Sequence, residues 1–384
     1  MVLGILSCSV YLKTTYRMRT NCYKRLGDYI REVNVRNRDL KVTKPMGINI
    51  DKHFMPSVAN VIGTDLSNYK LVSRRQFACN LMHVGRDEKI PMAIMESDNP
   101  IIVSPAYFVF EVSNPNILLP EYLMMWFSRK EFDRNAWFYT DADVRGGMDK
   151  DALLDMRLPI PSIERQREIV AEYETLSKRI RLNEQMISTL EATAQTLYRK
   201  MFVDGIDKEN LPDGWVDKSL SEIATLKAGG DKPIEFSEVR TGCYDIPVYA
   251  NGIENKGIFG YTTRPTIKSK SITISARGTI GYCFLRKQPY VPIVRLIVVI
   301  PNDESLAQYL FYYLDAMNIK GSGSVQSQLT VPDMENFEIV LPPEELIKEF
   351  SKQTEIIDKS IATYELENEK LTELQSLLLA KMGQ

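Results

Sequence analysis

Basic side chains without acidic neighbours are the most informative chemical feature of this chain. Eight of them lie within residues 255–302, a stretch that holds no Asp or Glu, and Tyr261, Tyr282 and Tyr290 are interleaved with them. A smaller group lies within residues 66–86. Lys and Arg neutralise phosphates, and Arg, Gln and Asn read guanine and adenine edges in the major groove of DNA. Both stretches are therefore predicted to contact DNA. Solvated strand faces of the same composition are the alternative.

The predicted DNA-binding residues lie in these two stretches or just before the second. They are Lys70, Arg74, Arg75, Gln76, Asn80 and Arg86 in the first half, and Asn251, Lys256, Tyr261, Arg264, Lys268, Lys270, Arg277, Arg286 and Lys287 in the second half. Arg277 precedes Gly278 in a predicted hairpin turn, which would present the guanidinium at the hairpin tip.

The sequence carries no recognisable catalytic motif. It has no phosphate loop of the form GxxxxGK(S/T), no HExxH and no GxSxG. It also lacks the Asn/Asp-Pro-Pro-aromatic tetrapeptide of amino-methyltransferases. The five cysteines form no CxxC pair, which argues against a zinc site or a disulfide framework and favours a reducing cytoplasm. We expect a non-catalytic chain that itself binds no metal or cofactor.

Length and composition indicate a globular protein with two or three domains. The chain has 384 residues, 44% of them apolar and 26% charged, with a formal net charge of -2. That balance excludes a strongly basic nucleic-acid coat protein but leaves room for local basic surfaces. No apolar run approaches ~18 residues, so no membrane association is expected. Residues 1–20 are predicted to be a poorly ordered leader.

The two halves of the chain repeat each other. Residues 151–201 align with 332–382 at a constant offset of 181 without a gap, so that Pro161, Glu168 and Leu190 recur as Pro342, Glu349 and Leu371. A period this long indicates duplication of one domain-plus-helix unit and is too long for a solenoid.

Each repeat contains a long helix with a 3.5-residue apolar period, which is typical of a coiled coil. The predicted seam is Ile169, Tyr173, Leu176, Ile180, Asn183, Ile187, Leu190 and Leu197 in the first helix, and Phe350, Ile357, Ile361, Tyr364, Asn368, Leu371 and Leu378 in the second. We expect the two helices to pair antiparallel, with Asn183 and Asn368 fixing the register. Packing of each helix in a separate core is the alternative.

The fold class that follows is α+β, with two β-rich globular domains and an antiparallel helix pair in a pseudo-twofold repeat. The predicted domains are 21–157 and 211–340, and the predicted helical segments are 158–210 and 341–384. Within the domains we expect strands at 271–275, 279–285, 295–300 and 101–112, and helices at 120–132 and 304–317.

Several segments together resemble the specificity (S) subunits of type I restriction–modification enzymes. They are LPIPSIERQREIV (158–170), LYRKMF (197–202), LPDGW (211–215), LSEIATLKAGG (220–230), CYKRLGDYI (22–30), YANGI (249–253), ISARGTIG (274–281) and GTDLSNYKLV (63–72). No single segment suffices, but their order matches the family over nearly the whole chain from Cys22 onward. Two features depart from its pattern: the leader before Met18, and the opening PPEELIKEF of the second helix, which lacks a counterpart of Gln166.

The resemblance implies a DNA-reading scaffold. In such a protein, two target recognition domains each read half of a bipartite sequence in double-stranded DNA, and the helices set the spacer and dock two methyltransferase (M) subunits. The M subunits would use S-adenosylmethionine to methylate adenine, and restriction (R) subunits would use ATP and Mg. None of these cofactors is expected to bind this chain.

Three other interpretations stay open at this point. One is a coiled-coil adaptor that binds no DNA, and another is a specificity subunit of an orphan methylation system without R subunits. The third, a fusion that carries its own methyltransferase or nuclease, lacks both room and motifs.

Overall fold

The computed structural model describes residues 23–57, 63–82, 84–140, 146–207, 209–278, 280–317, 319 and 328–383. The predicted leader lies outside the described residues. The chain divides into two compact units, unit 1 (residues 1–182 and 367–384) and unit 2 (residues 183–366). No helix within the described ranges is both long enough and apolar enough to cross a membrane.

Unit 1 contains two four-stranded sheets and a two-stranded ribbon. Its strands are β1 (Tyr23–Arg25), β2 (Ile30–Glu32), β3 (Pro45–Ile48), β4 (Phe54–Pro56), β5 (Lys70–Val72), β6 (Phe77–Cys79), β7 (Met92–Ile94), β8 (Ile101–Val103), β9 (Phe108–Val112) and β10 (Arg157–Pro159). The sheet orders are β2-β9-β6-β7 and β4-β3-β8-β5, and β1 pairs with β10. All neighbours are antiparallel except β3 and β8.

The helices of unit 1 cover the first sheet. They are α1 (Val84–Asp87), α2 (Pro120–Phe127), α3 (Lys130–Phe138), α4 (Lys150–Asp155) and the first part of α5 (Ile163–Phe202). The helix predicted at 120–132 is therefore two helices, because Arg129 adopts an extended backbone between them. The single strand predicted at 101–112 is wrong as well. Pro105, which has no N–H, lies in a turn closed by the Tyr107 N–H to the Ser104 carbonyl at 3.0 Å, and it separates β8 from β9.

Unit 2 repeats this plan. Its strands are β11 (Val216–Ser219), β12 (Ala224–Ala228), β13 (Ile246–Tyr249), β14 (Ile258–Thr262), β15 (Ser271–Ser275), β16 (Cys283–Arg286), β17 (Val291–Pro292), β18 (Leu296–Pro301) and β19 (Glu338–Leu341). Its helices are the last part of α5, then α6 (Leu220–Ile223), α7 (Leu306–Ala316), α8 (Val331–Glu335) and the first part of α9 (Glu344–Lys381), whose end belongs to unit 1. The strand predicted at 271–275 is confirmed with the same bounds.

The duplication is visible in the strand orders. The sheet β12-β18-β15-β16 corresponds to β2-β9-β6-β7, the sheet β14-β13-β17 to β4-β3-β8, and the ribbon β11-β19 to β1-β10. In both units the second sheet has one parallel pair, β3 with β8 and β13 with β17. The predicted α+β fold with an internal repeat is confirmed.

The two long helices are antiparallel, as predicted. In the core of unit 1, Ile169 near the start of α5 packs in one cluster with Met382, just beyond the end of α9. In the core of unit 2, Phe202 at the end of α5 meets Phe350 near the start of α9, with ring centroids 5.2 Å apart. Every predicted seam residue is buried or half-buried, and Asn183 is 2% exposed.

Gln166 joins the start of α5 to the globular part of unit 1. It is fully buried, its Oε1 accepts from the Leu119 N–H at 2.8 Å, and its Nε2 donates to the Ile117 carbonyl at 2.8 Å and the Pro161 carbonyl at 2.9 Å. The repeat offset of 181 places Ile347, also buried, at the corresponding position of α9. The difference between the helices is thus a buried polar link in one and an apolar contact in the other.

Replacing Gln166 with Ala is expected to destabilise unit 1 by roughly 2–4 kcal/mol, because the change leaves the buried Leu119 N–H and the Ile117 carbonyl without partners. Urea denaturation of the full chain measures this free energy of unfolding. Arg167→Ala, one residue further along the same turn and exposed, is the matched control and should leave the midpoint nearly unchanged. Equal midpoints for the two variants would contradict the role assigned to Gln166.

Candidate nucleic-acid interface

The basic residues of unit 2 are distributed over both ends of the β15–β16 hairpin. The open end holds Lys270, just before β15, and Lys287, just after β16, whereas the closed end holds Arg277. Five residues of strand at ~3.3 Å each separate the two ends by about 17 Å. The stretch that looks continuous in sequence is therefore two separate groups in space.

The lysines of the open end are paired with acidic residues of α9. The Lys287 ammonium lies 2.6 Å from the Asp358 carboxylate, and that of Lys256 lies 2.7 Å from Glu365. Lys270 is half-buried, and the pKa of Glu355 is lowered chiefly by Lys359 and also by Lys270. The acidic character of α9 and part of the basic stretch thus neutralise each other inside unit 2.

Arg286, also predicted to bind DNA, is 5% exposed and performs a structural role. Its Nε donates to Thr273 Oγ1 at 2.9 Å and its Nη2 donates to the Lys256 carbonyl at 2.8 Å, while the guanidinium stacks 3.5 Å above the Tyr249 ring. Burial lowers the pKa of this guanidinium, and the neighbouring Tyr249 and Tyr290 partly counteract that lowering. Arg286 therefore ties the loop after β13, which carries Asn251 and Lys256, to the sheet.

The closed end of the hairpin is held by contacts between the Asn251 side chain and the backbone around Arg277 and Arg295. The Asn251 Nδ2 donates to the Arg277 carbonyl at 2.6 Å, and Arg277 itself is half-exposed and pairs with Gln328 in an isolated β-bridge. Arg295, whose carbonyl accepts from the Ala276 N–H at 3.0 Å, is exposed beside them. Among the described residues Arg295 forms no ion pair, so its charge faces solvent.

Three more predicted residues, Tyr261, Arg264 and Lys268, lie between Lys256 and Lys270 in sequence. Tyr261 is half-buried in β14, where it pairs with Pro247 of β13. Arg264 and Lys268 are exposed in the loop that joins β14 to β15, and neither forms an ion pair within the described part of the chain. They offer further positive charge at the surface of unit 2.

In unit 1, three of the six predicted residues lie just before β6 and already have partners. Arg74 pairs with Asp98 at 2.8 Å, Arg75 pairs with Glu121 at 3.0 Å, and the Gln76 Nε2 donates to Glu111 at 2.9 Å. The two ion pairs are exposed, and such pairs contribute little stability, so the arginines could exchange their carboxylates for phosphates at small cost.

The other predicted residues of unit 1 differ in burial and position. Lys70 is 7% exposed, its Nζ donates to the Tyr107 carbonyl at 2.6 Å, and burial lowers its pKa. Asn80 follows β6 and is half-buried, and its Oδ1 accepts from the Met82 N–H at 3.0 Å. The side chain of Arg86 lies outside the described residues.

The repeat relates two of these sites. β6 corresponds to β15, so Asn80 in unit 1 and Arg277 in unit 2 follow the carboxyl ends of equivalent strands. Sequence reasoning did not select Arg295 as a site residue. In the sequence, only the position of Arg295 within the acid-free stretch pointed to it. The hydrogen bond that places Arg295 beside Ala276 follows from strand pairing, which the sequence does not show.

Metal binding has no support in the described ranges, where no three His, Cys, Asp or Glu side chains are placed to hold an ion together. The exposed candidate residues lie at strand ends and in turns.

Comparisons with known proteins agree on one family. Residues 212–376 match the family model described as "Type I restriction modification DNA specificity domain". A putative type I specificity subunit of Mycoplasma pneumoniae is 38% identical over 124 residues, which are 32% of this chain and 37% of that protein. The HindI specificity subunit of Haemophilus influenzae is 23% identical over 370 residues and covers 73% of this chain and 80% of the relative. The first two curated relatives are thus matched over about a third of their length.

Among solved structures, the S subunit of a type I restriction-modification system from M. genitalium has a similar fold. The TM-score is 0.58 at 14% sequence identity, and the alignment covers 96% of this chain and 98% of that one. This likeness concerns the fold, since so low an identity carries no information about individual contacts.

Arg286→Ala is expected to destabilise unit 2 by about 2–4 kcal/mol, because it removes two charge-assisted hydrogen bonds and a cation–π contact from a buried site. The neighbouring Lys287→Ala removes only an exposed ion pair and should cost less than about 1 kcal/mol. Thermal unfolding of the two variants provides the comparison. If both lost the same small amount, Arg286 would not be the anchor of the loop after β13.

Proposed function

We propose that this chain is a specificity subunit of a type I restriction–modification system and reads a bipartite target in double-stranded DNA, because residues 212–376 match a DNA specificity domain and the similar proteins are specificity subunits. Each unit would read one half of the target. The chain would act without catalysis of its own, as part of a complex in the cytoplasm.

One observation carries the proposal for unit 2. The lysines at the open end of the β15–β16 hairpin are neutralised by α9, whereas Arg295 at the closed end has no carboxylate partner among the described residues. A cation that is not paired within the protein can release counterions from DNA by binding phosphate. We therefore assign DNA contact to the closed end, with Arg277, Arg295 and Asn251, and to the exposed loop with Arg264 and Lys268.

For unit 1, the repeat supports an equivalent assignment at the carboxyl end of β6. Asn80 lies there, and an Asn side chain can donate to and accept from adenine in the major groove. Arg74, Arg75 and Gln76 lie at the other end of the strand, so we propose for them at most phosphate contacts that replace their present carboxylate partners.

The long helices are proposed to set the spacer and to dock two M subunits. Besides the buried seam, they carry apolar side chains that point away from it and are at least half-exposed: Leu182, Ile356, Leu366, Leu374 and Leu377. Apolar side chains exposed in such number are typical of a protein-binding surface. The M subunits would bring S-adenosylmethionine, and the R subunits would bring ATP and Mg. Gln166, being buried, is not part of this proposed contact.

The DNA assignment predicts different effects for charges at the two ends of the hairpin. Arg277→Ala and Arg295→Ala should each weaken binding of a duplex and reduce its salt dependence by about 0.9 slope units per lost phosphate contact. The strain of the left-handed backbone at Arg295 is unchanged, because Ala and Arg share the same Cβ. Lys287→Ala, at the open end, is the matched control.

Fluorescence anisotropy over a series of salt concentrations measures these slopes. Equal losses at both ends would refute the distinction between them. A chain that retained no affinity for DNA, alone or with an M subunit, would favour the coiled-coil adaptor.

The helix assignment predicts that helix length determines the spacer. Four residues inserted after Glu191 in α5, together with four after Lys359 in α9, add about one turn, ~6 Å, to both helices. One base pair advances ~3.4 Å along DNA, so the preferred spacer should grow by one or two base pairs while both half-sites stay the same. Mapping the methylated adenines made by the reconstituted complex tests this.

An insertion in α5 alone, which interrupts the seam, is the control for lost stability. An active double variant with the original spacer would show that the helices do not measure it.

A further inference from the structure

The outer face of α3 carries a second group of basic and aromatic side chains, outside the stretches from which DNA contact was predicted. It consists of Lys130, Arg134, Trp137 and Phe138. At 100° per residue these four positions fall within about 100° of the helix circumference. Phe132 and Ala136 lie on the opposite side and are buried in the core of unit 1. The helix therefore presents a defined face to solvent.

The face keeps a positive charge because both acidic residues of the helix are already paired with other cations. Asp133 is buried, lies 2.6 Å from the Lys52 ammonium, and accepts from the Ile90 N–H at 3.2 Å. Glu131 lies 3.4 Å from the buried Arg129 guanidinium. Lys130 and Arg134 are exposed and form no ion pair in the part of the chain that the structure describes. Two cations thus remain available about one turn apart.

The aromatic side chains at the end of the helix are unusually exposed. Trp137 is 47% exposed and Phe138 is 80% exposed, although large apolar side chains normally lose most of their contact with water on folding. Phe138 rests only edge-on against Tyr139, with ring centroids 5.4 Å apart. The face therefore combines unpaired cations with open ring surfaces. Nucleic-acid-binding proteins combine cations with exposed aromatic rings, because cations bind phosphates and rings stack on bases or wedge between them.

Backbone contacts join this end of α3 to the edge of unit 1 that holds Asn80. Thr140, two residues after Phe138, pairs with Met148 in a β-bridge, and the Met148 N–H donates to the Leu81 carbonyl at 2.8 Å. Leu81 follows Asn80 directly. The aromatic end of α3 is thus next to the site proposed for base reading in unit 1.

We propose that the outer face of α3 is a DNA-contacting surface of unit 1, in which Lys130 and Arg134 bind phosphates and Phe138, with the neighbouring Trp137, wedges between base steps of the duplex. This inference rests on the proposed function and deepens it. It gives unit 1 a positive surface of its own, corresponding to the one that the exposed Arg295 provides in unit 2.

The test uses the full chain with Arg134→Ala and Phe138→Ala, and Arg181→Ala as a matched control, since Arg181 is an exposed arginine of the same unit on α5. Arg134→Ala should reduce the salt slope of duplex binding by about 0.9. Phe138→Ala should weaken binding about tenfold at unchanged slope, as expected when a ring in contact with bases is removed. Because both side chains are exposed, thermal midpoints should not change.

Tryptophan fluorescence gives an independent readout. Duplex DNA should quench the emission of the unmodified chain, and Trp137→Phe should abolish most of that quenching, because Trp126 is buried in the core of unit 1 and the third tryptophan, Trp215, is half-buried against Phe202 in unit 2.

Three results would overturn the inference. Unchanged affinity and slope in both α3 variants, with Arg277→Ala still weakening binding, would refute the α3 surface and leave the proposed function intact. Variants that bind DNA normally but no longer co-elute with an M subunit would assign the face to protein contact instead. Failure of the unmodified chain to bind DNA at all would refute the proposed function together with the inference.

Discussion

Burial of the ends of the long helices in the two globular cores is the interaction on which the structure depends. Each core takes in the beginning of one helix and the end of the other: Ile169 with Met382 in unit 1, and Phe350 with Tyr198 and Phe202 in unit 2. Long helices gain most of their stability from packing an amphipathic face, and in these helices that face is the seam together with the ends that enter the cores. Neither helix could be shortened or rotated without withdrawing a large side chain from a core, so each globular core is fixed to rigid helix ends.

Electrostatic pairing decides which charges remain available for a ligand. The last helical segment, 341–384, has five basic and nine acidic residues, and the acid-free stretch of unit 2 supplies lysines to Asp358 and Glu365. In α3 the same division occurs within one helix, where Asp133 and Glu131 turn toward Lys52 and Arg129. A net charge near zero is therefore compatible with local positive surfaces, because these acidic residues are engaged in ion pairs inside each unit.

The sequence predicted the architecture well because its signals were periodic and repeated. The 3.5-residue seam indicated two paired helices, and alternating residues in SITIS indicated a strand that the structure has at the same position. The predicted site was less informative. Arg286 and Lys70 have the residue types of a phosphate site, yet both are buried, because residue type does not reveal whether a strand faces the core or solvent. Lys130, Arg134 and Phe138 were overlooked because acidic residues alternate with them in sequence. Only the folded structure shows that those acidic residues are paired with other cations.

The strand ends explain how one scaffold could accommodate different DNA sequences. Within each unit, residues near the long helices are committed to buried hydrogen bonds and ion pairs, such as those of Gln166 and Arg286, and a change there costs stability. Residues at the carboxyl ends of β6 and β15 lie in turns, where side chains can vary without disturbing a core. Positions that hold the fold and positions proposed to read DNA therefore lie at opposite ends of the same strands. Under the proposed function, substitutions at the end that reads DNA would alter the recognised half-site and leave the packing at the other end unchanged.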